Sequence, residues 1–188
     1  MIKVSHNDKD FVVNIITEAF KNNKSIHFVI GKKGDFIQKL KYLISYSFEE
    51  GMDFGEVFMN NEKTSVAIFI HPDKKRTTVK SILRDMKLIF KVIGITNVAK
   101  VLARDKKIKA FHPNANDFSH LWYIATEENS QGKGHGSAFL QELIHHYQDR
   151  KILLETSTKE NFPFYEKNGF YEKGIVPLES YQLHIFST

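Results

Sequence analysis

The stretch LWYIATEENSQGKGHGSAFLQELIHHYQDRKILLET, residues 121–156, leaves few folds open. It begins with a nearly unbroken apolar run, Leu121 to Thr126, which predicts a short strand covered on both faces. Gly132, Gly134 and Gly136 then mark a loop, and Phe139, Leu140, Leu143 and Ile144 recur at helical spacing from Ser137 to about Gln148. A second strand is expected over Lys151 to Thr156. Strand, loop, helix and strand in that order form a βαβ unit with its two strands parallel in one sheet. A short helix over Asn161 to Lys167 and strands over Gly169 to Lys173 and Ser180 to Phe186 append a further layer.

The glycine loop narrows what such a unit can hold. A phosphate loop of the form G-x-x-x-x-G-K-[ST] does not occur in the chain, and the dinucleotide fingerprint G-x-G-x-x-G fails because Ser137 stands where its last glycine belongs. What remains is Gln131-x-x-Gly134-x-Gly136 between an apolar strand and a helix. Glycines there allow positive φ and close approach of a ligand to the backbone. The first amides of the following helix have no intrahelical acceptor, and its dipole favours an anion such as a pyrophosphate. Lys133 adds a positive charge. Read alone, the loop fits either a ligand clasp or a tight turn with nothing bound.

Upstream, the first strong periodicity is helical over residues 8–21, with Phe11, Val12, Ile15, Ile16, Ala19 and Phe20 on one face and Asp8 or Asn7 as the N-cap. A loop rich in Asn, Lys and Gly separates it from a second helix, Asp35 to Phe48, which ends at GMDFG. Glu56 to Met59 and Ser65 to Ile70, joined through Asn60-Asn-Glu-Lys, read as a hairpin. From Thr78 to Arg104 the helical period returns, with Ile82, Met86, Ile89, Phe90 and Ile93 on one side and a break at Gly94. FHPNAND is loop. The chain therefore reads as a single 188-residue domain: helices and hairpin over 1–73, a basic helical insertion over 74–118, and the βαβ core with the final strands over 119–188.

Composition excludes several classes of function. With no cysteine there are no disulfides, no thiolate ligands and no thiol nucleophile, which suits a cytoplasmic location. No apolar run reaches the roughly 18 residues of a membrane span, and MIKVSHNDKDF lacks the apolar core of a secretory signal. His145 and His146 are adjacent on a helix and diverge, and no H-x-x-x-H or H-E-x-x-H occurs, so no metal site is expected. Residues 74–109 hold twelve basic against two acidic residues, a charge of +10, which leaves −5 on the rest of a chain whose net charge is +5. A solvated helix face is the plain reading; an anionic cofactor, an acidic partner or nucleic acid are the others, the last disfavoured because no aromatic residues are interleaved for base stacking.

Taken together, QGKGHG and the downstream LLETSTKENFPFYEKNGF resemble the GCN5-related N-acetyltransferase (GNAT) family. The first string matches its Q/R-x-x-G-x-G/A acetyl-coenzyme A signature; the second matches the strand, Asn161-x-x-x-Tyr165 and Gly169-Phe170 of the same core. The likeness covers residues 119–175 by motif and the first half only by element order. LETS…NFPFYEKNGF looks particularly like puromycin N-acetyltransferase and other relatives that acetylate small molecules. The resemblance implies an α/β (α+β) fold with a mixed, mostly antiparallel twisted sheet, splayed between its fourth and fifth strands and flanked by helices.

It implies acetyl-CoA as cofactor, its pyrophosphate on the backbone of Gln131, Gly132, Lys133, Gly134, His135, Gly136 and Ser137. The pantetheine arm would lie against Ile124, Ala125 and Thr126, with Asn161 reaching cofactor or capping its helix. Tyr165 matches the usual general acid, although its spacing from Phe164 and Phe170 also suits a packed core aromatic. Where relatives often place a basic glutamate, this chain has His120, with Glu155 on the adjacent strand as the second candidate for general base. The expected reaction is direct acetyl transfer to a primary amine, with a small-molecule acceptor as the leading reading. A non-catalytic coenzyme A module and a protein lysine or N-terminal acetyltransferase are the alternatives. No membrane partner is expected, and a homodimer is compatible with the family.

Overall fold

The computed structural model describes residues 1–31 and 34–188; Lys32 and Lys33, part of the loop expected after the first helix, lie outside the described residues. Seven strands form one sheet among the described residues: β1 (Ile2–Lys3), β2 (Gly55–Met59), β3 (Ser65–Ile70), β4 (Phe118–Thr126), β5 (Lys151–Thr156), β6 (Tyr171–Pro177) and β7 (Gln182–Ser187). Their order is β1-β2-β3-β4-β5-β7-β6, antiparallel throughout except for β4 beside β5. That one parallel pair is the expected βαβ unit, with α6 (His135–His146) as its crossover helix. The β2–β3 hairpin is also as expected; Asn60 closes it by accepting from the Thr64 and Ser65 amides, both at 2.8 Å.

Helices cover both faces. On one side α1 (Lys9–Phe20) and α3 (Phe36–Phe54) bury Val12, Ile16, Leu40, Ile44 and Phe48 against Val57, Val66, Ile68, Tyr123 and Ala125. On the other, α6 buries Phe139, Leu140 and Leu143 against Phe69, Leu121, Ile152 and Leu154, joined by Tyr165 of α7 (Phe162–Lys167). A third cluster packs Ile108, Phe118, Leu153, Leu183 and Ile185 at the β5–β7 end.

Three expectations need correction or refinement. The stretch read as loop after the first helix contains α2 (Lys24–Val29), whose start Asn23 caps by accepting from the Ser25 and Ile26 amides. Asp8 stands at the N-cap position of α1, but its carboxylate turns back to the Ser5 amide (3.0 Å) and hydroxyl (2.7 Å). The third correction concerns the insertion. It does break at Gly94, with φ 78°, into α4 (Val79–Leu88), a π-helical turn (Ile89–Ile93) and α5 (Ile95–Lys109). Yet Ile82, Met86 and Phe90 face solvent, while Leu88, Val92 and Ile93 are the buried residues. The expected stripe is therefore split: Ile93 and Ile89 pack inward beside Leu88 and Val92, and Ile82, Met86 and Phe90 point outward.

One detail of β4 positions the site. Ile68 of β3 pairs with Tyr123 and Phe69 with Leu121, so Trp122 is an extra residue, a β-bulge. Normal alternation would send Trp122 and Tyr123 to opposite faces. With the bulge, Trp122 and Tyr123 both join the α1–α3 core, while Leu121 and Ile124 belong to the α6 side.

Candidate active site

Strands β4 and β5 part just past their start. Their pairing is Phe118 with Lys151, Ser119 with Ile152 and His120 with Leu153, and no further, although the strands run on to Thr126 and Thr156. The bulge at Trp122 lies immediately beyond the last pair and bends β4 away. The backbone of Ile124, Ala125 and Thr126 pairs with β3 on one side and has no ladder to β5 on the other. The expected splay is therefore present, with a strand edge open along it.

At the far end of that edge lies the glycine loop. Gly132 and Gly134 have φ of 73° and 85°, a conformation open to glycine at little cost, and a Cβ on either would meet no atom within 4 Å. The loop surface is thus open to whatever approaches it. Backbone amides from Gly132 to Ser137 donate to no protein acceptor among the described residues; the first helical bond here runs from the Ala138 amide to the Gly134 carbonyl, 3.0 Å. Six consecutive amides at the start of a 12-residue helix suit the diphosphate of a nucleotide cofactor. Gln131 has a different part: its amide bonds the Glu128 carbonyl, and its side chain donates to the Thr126 carbonyl at 3.0 Å, tying loop to strand. Gly136 packs tightly, since a Cβ there would lie 3.2 Å from Thr126 Oγ1.

Where the strands separate, three polar side chains converge. His120 Nε2 lies 2.7 Å from Glu155 Oε2, and His112 Nε2 lies 3.4 Å from Glu155 Oε1. Burial works against a charge on Glu155; the two imidazoles outweigh it and hold the carboxyl well below the usual carboxylate range. An ionised carboxylate only accepts, so both imidazoles donate to it from Nε2 and leave Nδ1 facing away from it. The two base candidates are thus one hydrogen-bonded unit. His112, in the segment read simply as loop, is a third member that spacing could not have revealed.

The trio opens into a cavity of about 580 Å³. Its wall combines Tyr46 of α3, Leu88, Ile89, Val98, Val101 and Leu102 of the insertion, and Trp122 and Tyr123 of β4. Ser157, just past β5, also lines it; its Oγ is buried without a hydrogen-bond partner among the described residues. Such a group is available to a ligand.

Tyr165 sits on the other face of the sheet, in the α6 core, with ring centroids 5.3 Å from Phe164, 5.9 Å from Phe170 and 5.8 Å from Phe186. Burial alone pushes its hydroxyl above the ordinary tyrosine range, so it is protonated at neutral pH. It makes no hydrogen bond to the His120–Glu155–His112 trio among the described residues; the two lie on opposite sides of the splay. Asn161 is exposed at the N-cap of α7 and forms no side-chain cap bond. Asn168 holds α7 to α6 instead: it donates to the Phe164 carbonyl (2.7 Å) and Ser137 Oγ (3.4 Å), and Gln141 donates to its side chain (3.1 Å).

Comparison with known proteins fits this architecture. An acetyltransferase (GNAT) domain model matches residues 93–172. A structure of histone acetyltransferase HPA2 and related acetyltransferase from Corynebacterium glutamicum superposes with a TM-score of 0.71 at 21% identity, over 99% of this chain and 93% of that one. An N-acetyltransferase from Staphylococcus aureus Mu50 gives a TM-score of 0.56 at 14% identity over 97% and 96% of the two chains. A GNAT-family acetyltransferase from Bacillus cereus gives 0.54 at 16% identity over 100% and 94%. No curated protein matches the sequence. The family model thus matches the stretch that holds the glycine loop and the splayed strands, and the whole chain shares its fold with acetyltransferases of known structure.

Proposed function

We propose that this enzyme moves an acetyl group from acetyl-CoA to the primary amine of a small, largely apolar molecule, by direct attack in a ternary complex. Residues 1–188 act as one domain, with the 74–118 insertion walling the acceptor cavity. The amides of Gly132 to Ser137, with Lys133 beside them, would hold the diphosphate, and the open edge of Ile124, Ala125 and Thr126 would bond the amide-bearing arm as it would a strand. Acetyl-CoA bound there supplies an activated thioester carbonyl at the mouth of the splay.

The chain's own groups handle the protons. His120 Nδ1 takes the proton that the amine must lose, and Glu155 stabilises the resulting imidazolium through its 2.7 Å bond to Nε2. His112 holds the second carboxylate oxygen and fixes Glu155 in place. Tyr165 gives its proton to the leaving thiolate from the opposite face.

The observation that carries the small-molecule reading is the 580 Å³ cavity, a size that encloses a drug-sized ligand. Most of its charged lining has a partner: Arg104 pairs with Asp105, Lys75 with Glu50, and Asp85 accepts from Tyr46, while Lys109 forms no salt bridge among the described residues. An apolar body carrying one amine suits that wall better than a polycation. The test is thiol release from acetyl-CoA with a panel of arylalkyl and alkyl amines set against lysine peptides. Apolar amines are expected to have the higher kcat/KM, and Val101→Trp, which fills the cavity, to abolish their advantage. A peptide lysine or peptide N-terminus that outperforms every small amine would overturn the reading.

A further inference from the structure

The helical insertion presents an apolar stripe to solvent. Val79, Leu83, Met86 and Phe90 recur at spacings of three and four along α4 and the π turn, with Ile82 beside them. All five are exposed, Val79 at 76% and Phe90 at 66%, and Ile95 and Leu102 of α5 are exposed too. An amphipathic helix normally turns this side inward. Here the inward positions go to Ser81, Leu88 and Val92, and to Arg84, which reaches Glu50 at 2.6 Å and Asp53 at 2.9 Å. Lys80, Lys87 and Lys91 run along one side of the stripe by the same spacing. Lys74, Arg76, Lys87, Lys106 and Lys109 form no salt bridge among the described residues, within a segment whose charge is +10.

We infer that this face docks the enzyme onto the interface of an anionic lipid bilayer. An apolar centre of Phe, Leu and Met flanked by lysines is the pattern of a helix lying in the headgroup plane. A second copy of the chain would bring Lys87 and Lys91 of one such face against the same lysines of the other. Leu88 and Ile89, on the inward side of the same helical segment, line the cavity, so the docking element also walls the acceptor site. No described helix is long and apolar enough to cross the bilayer, so attachment is peripheral.

The test is co-sedimentation of the full chain with unilamellar vesicles of phosphatidylcholine alone or mixed with phosphatidylglycerol, at low and high salt. Binding is expected to the anionic vesicles only and to weaken as salt rises. Met86→Ser and Phe90→Ser should each weaken it about tenfold, and Lys87→Gln and Lys91→Gln each roughly fivefold. None of the four lines the cavity, so turnover in solution stays at the wild-type level; Met86, Lys87 and Phe90 are exposed and their variants keep the wild-type melting temperature, while Lys91→Gln also gives up a contact over the Tyr42 ring. Three results would overturn the inference: no binding to anionic vesicles at low salt, binding indifferent to Met86→Ser and Phe90→Ser, or a concentration-dependent dimer that Phe90→Ser dissociates.

Discussion

Replacing Glu155 with glutamine keeps the shape of the side chain and removes its charge. In the wild type that carboxylate takes a 2.7 Å bond from His120 and a 3.4 Å bond from His112, in a setting where its side chain is only 10% exposed. A hydrogen bond between charged partners contributes about 1.5–3 kcal/mol. That full amount is needed only when His120 has taken the proton from the amine, so its loss falls on the chemical step. It converts to a fall in kcat of roughly 10- to 150-fold. His120→Gln removes the base itself and should cost about 10²- to 10⁴-fold. Because Glu155 acts through His120, the double variant should be no slower than His120→Gln alone, a strong departure from additivity. The assay is steady-state thiol release with saturating acetyl-CoA, alongside thermal melts to confirm that each variant is folded. A Glu155→Gln enzyme within threefold of wild type would refute the coupling. So would two losses that simply multiply in the double variant.

Other consequences are simpler. Tyr165→Phe keeps the packing against Phe164, Phe170 and Phe186 and deletes the proton donor. Turnover should fall by about 10² or more while the melting temperature holds, and an undiminished rate would remove Tyr165 from the chemistry. Gly134→Ala forces an L side chain into φ 85°, at a cost of about 1–3 kcal/mol, and disturbs the amide row, so KM for acetyl-CoA should rise with the acceptor KM little changed. Glu155 also shapes stability against pH. Its folded carboxyl titrates below the unfolded one, so its contribution is complete above the unfolded value of about 4.3 and is lost as pH falls further. Denaturant midpoints of wild type and Glu155→Gln should therefore differ at pH 6 and converge toward pH 3. A gap that widens on acidification would contradict the assigned direction.

The second half of the chain was legible because its signals are local and mutually consistent. An apolar run, glycines at fixed offsets and a helical period name β4, the loop and α6 without reference to anything distant. The Trp122 bulge was not legible: in Leu121-Trp-Tyr-Ile every residue is apolar, so no alternation exists for a bulge to interrupt. Helix α2, six residues long, is too short to establish a period, although Asn23 was a capping signal in plain view. Of the five residues grouped on one side, Ile82, Met86 and Phe90 face solvent while Ile89 and Ile93 pack inward, because the π-helical turn shifts the phase that a regular helical period assumes. His112 joins Glu155 from 43 residues away, a partnership made by the return of the insertion to the sheet and invisible to spacing. Loop and strands announce the donor; the cavity wall, built from α3, the insertion and β4, emerges only when the chain has folded.

The central claim is that acetyl-CoA bound at the glycine loop gives its acetyl group to an amine in the cavity beside His120. The most direct measurement follows thiol release and N-acetylated product together, with acetyl-CoA and an arylalkylamine, for wild type and His120→Gln. Thiol and product appearing in equal amounts, dependent on the amine and slowed at least a hundredfold in the variant, is the predicted result. Thiol released at the same rate without amine, or turnover indifferent to His120, would contradict it.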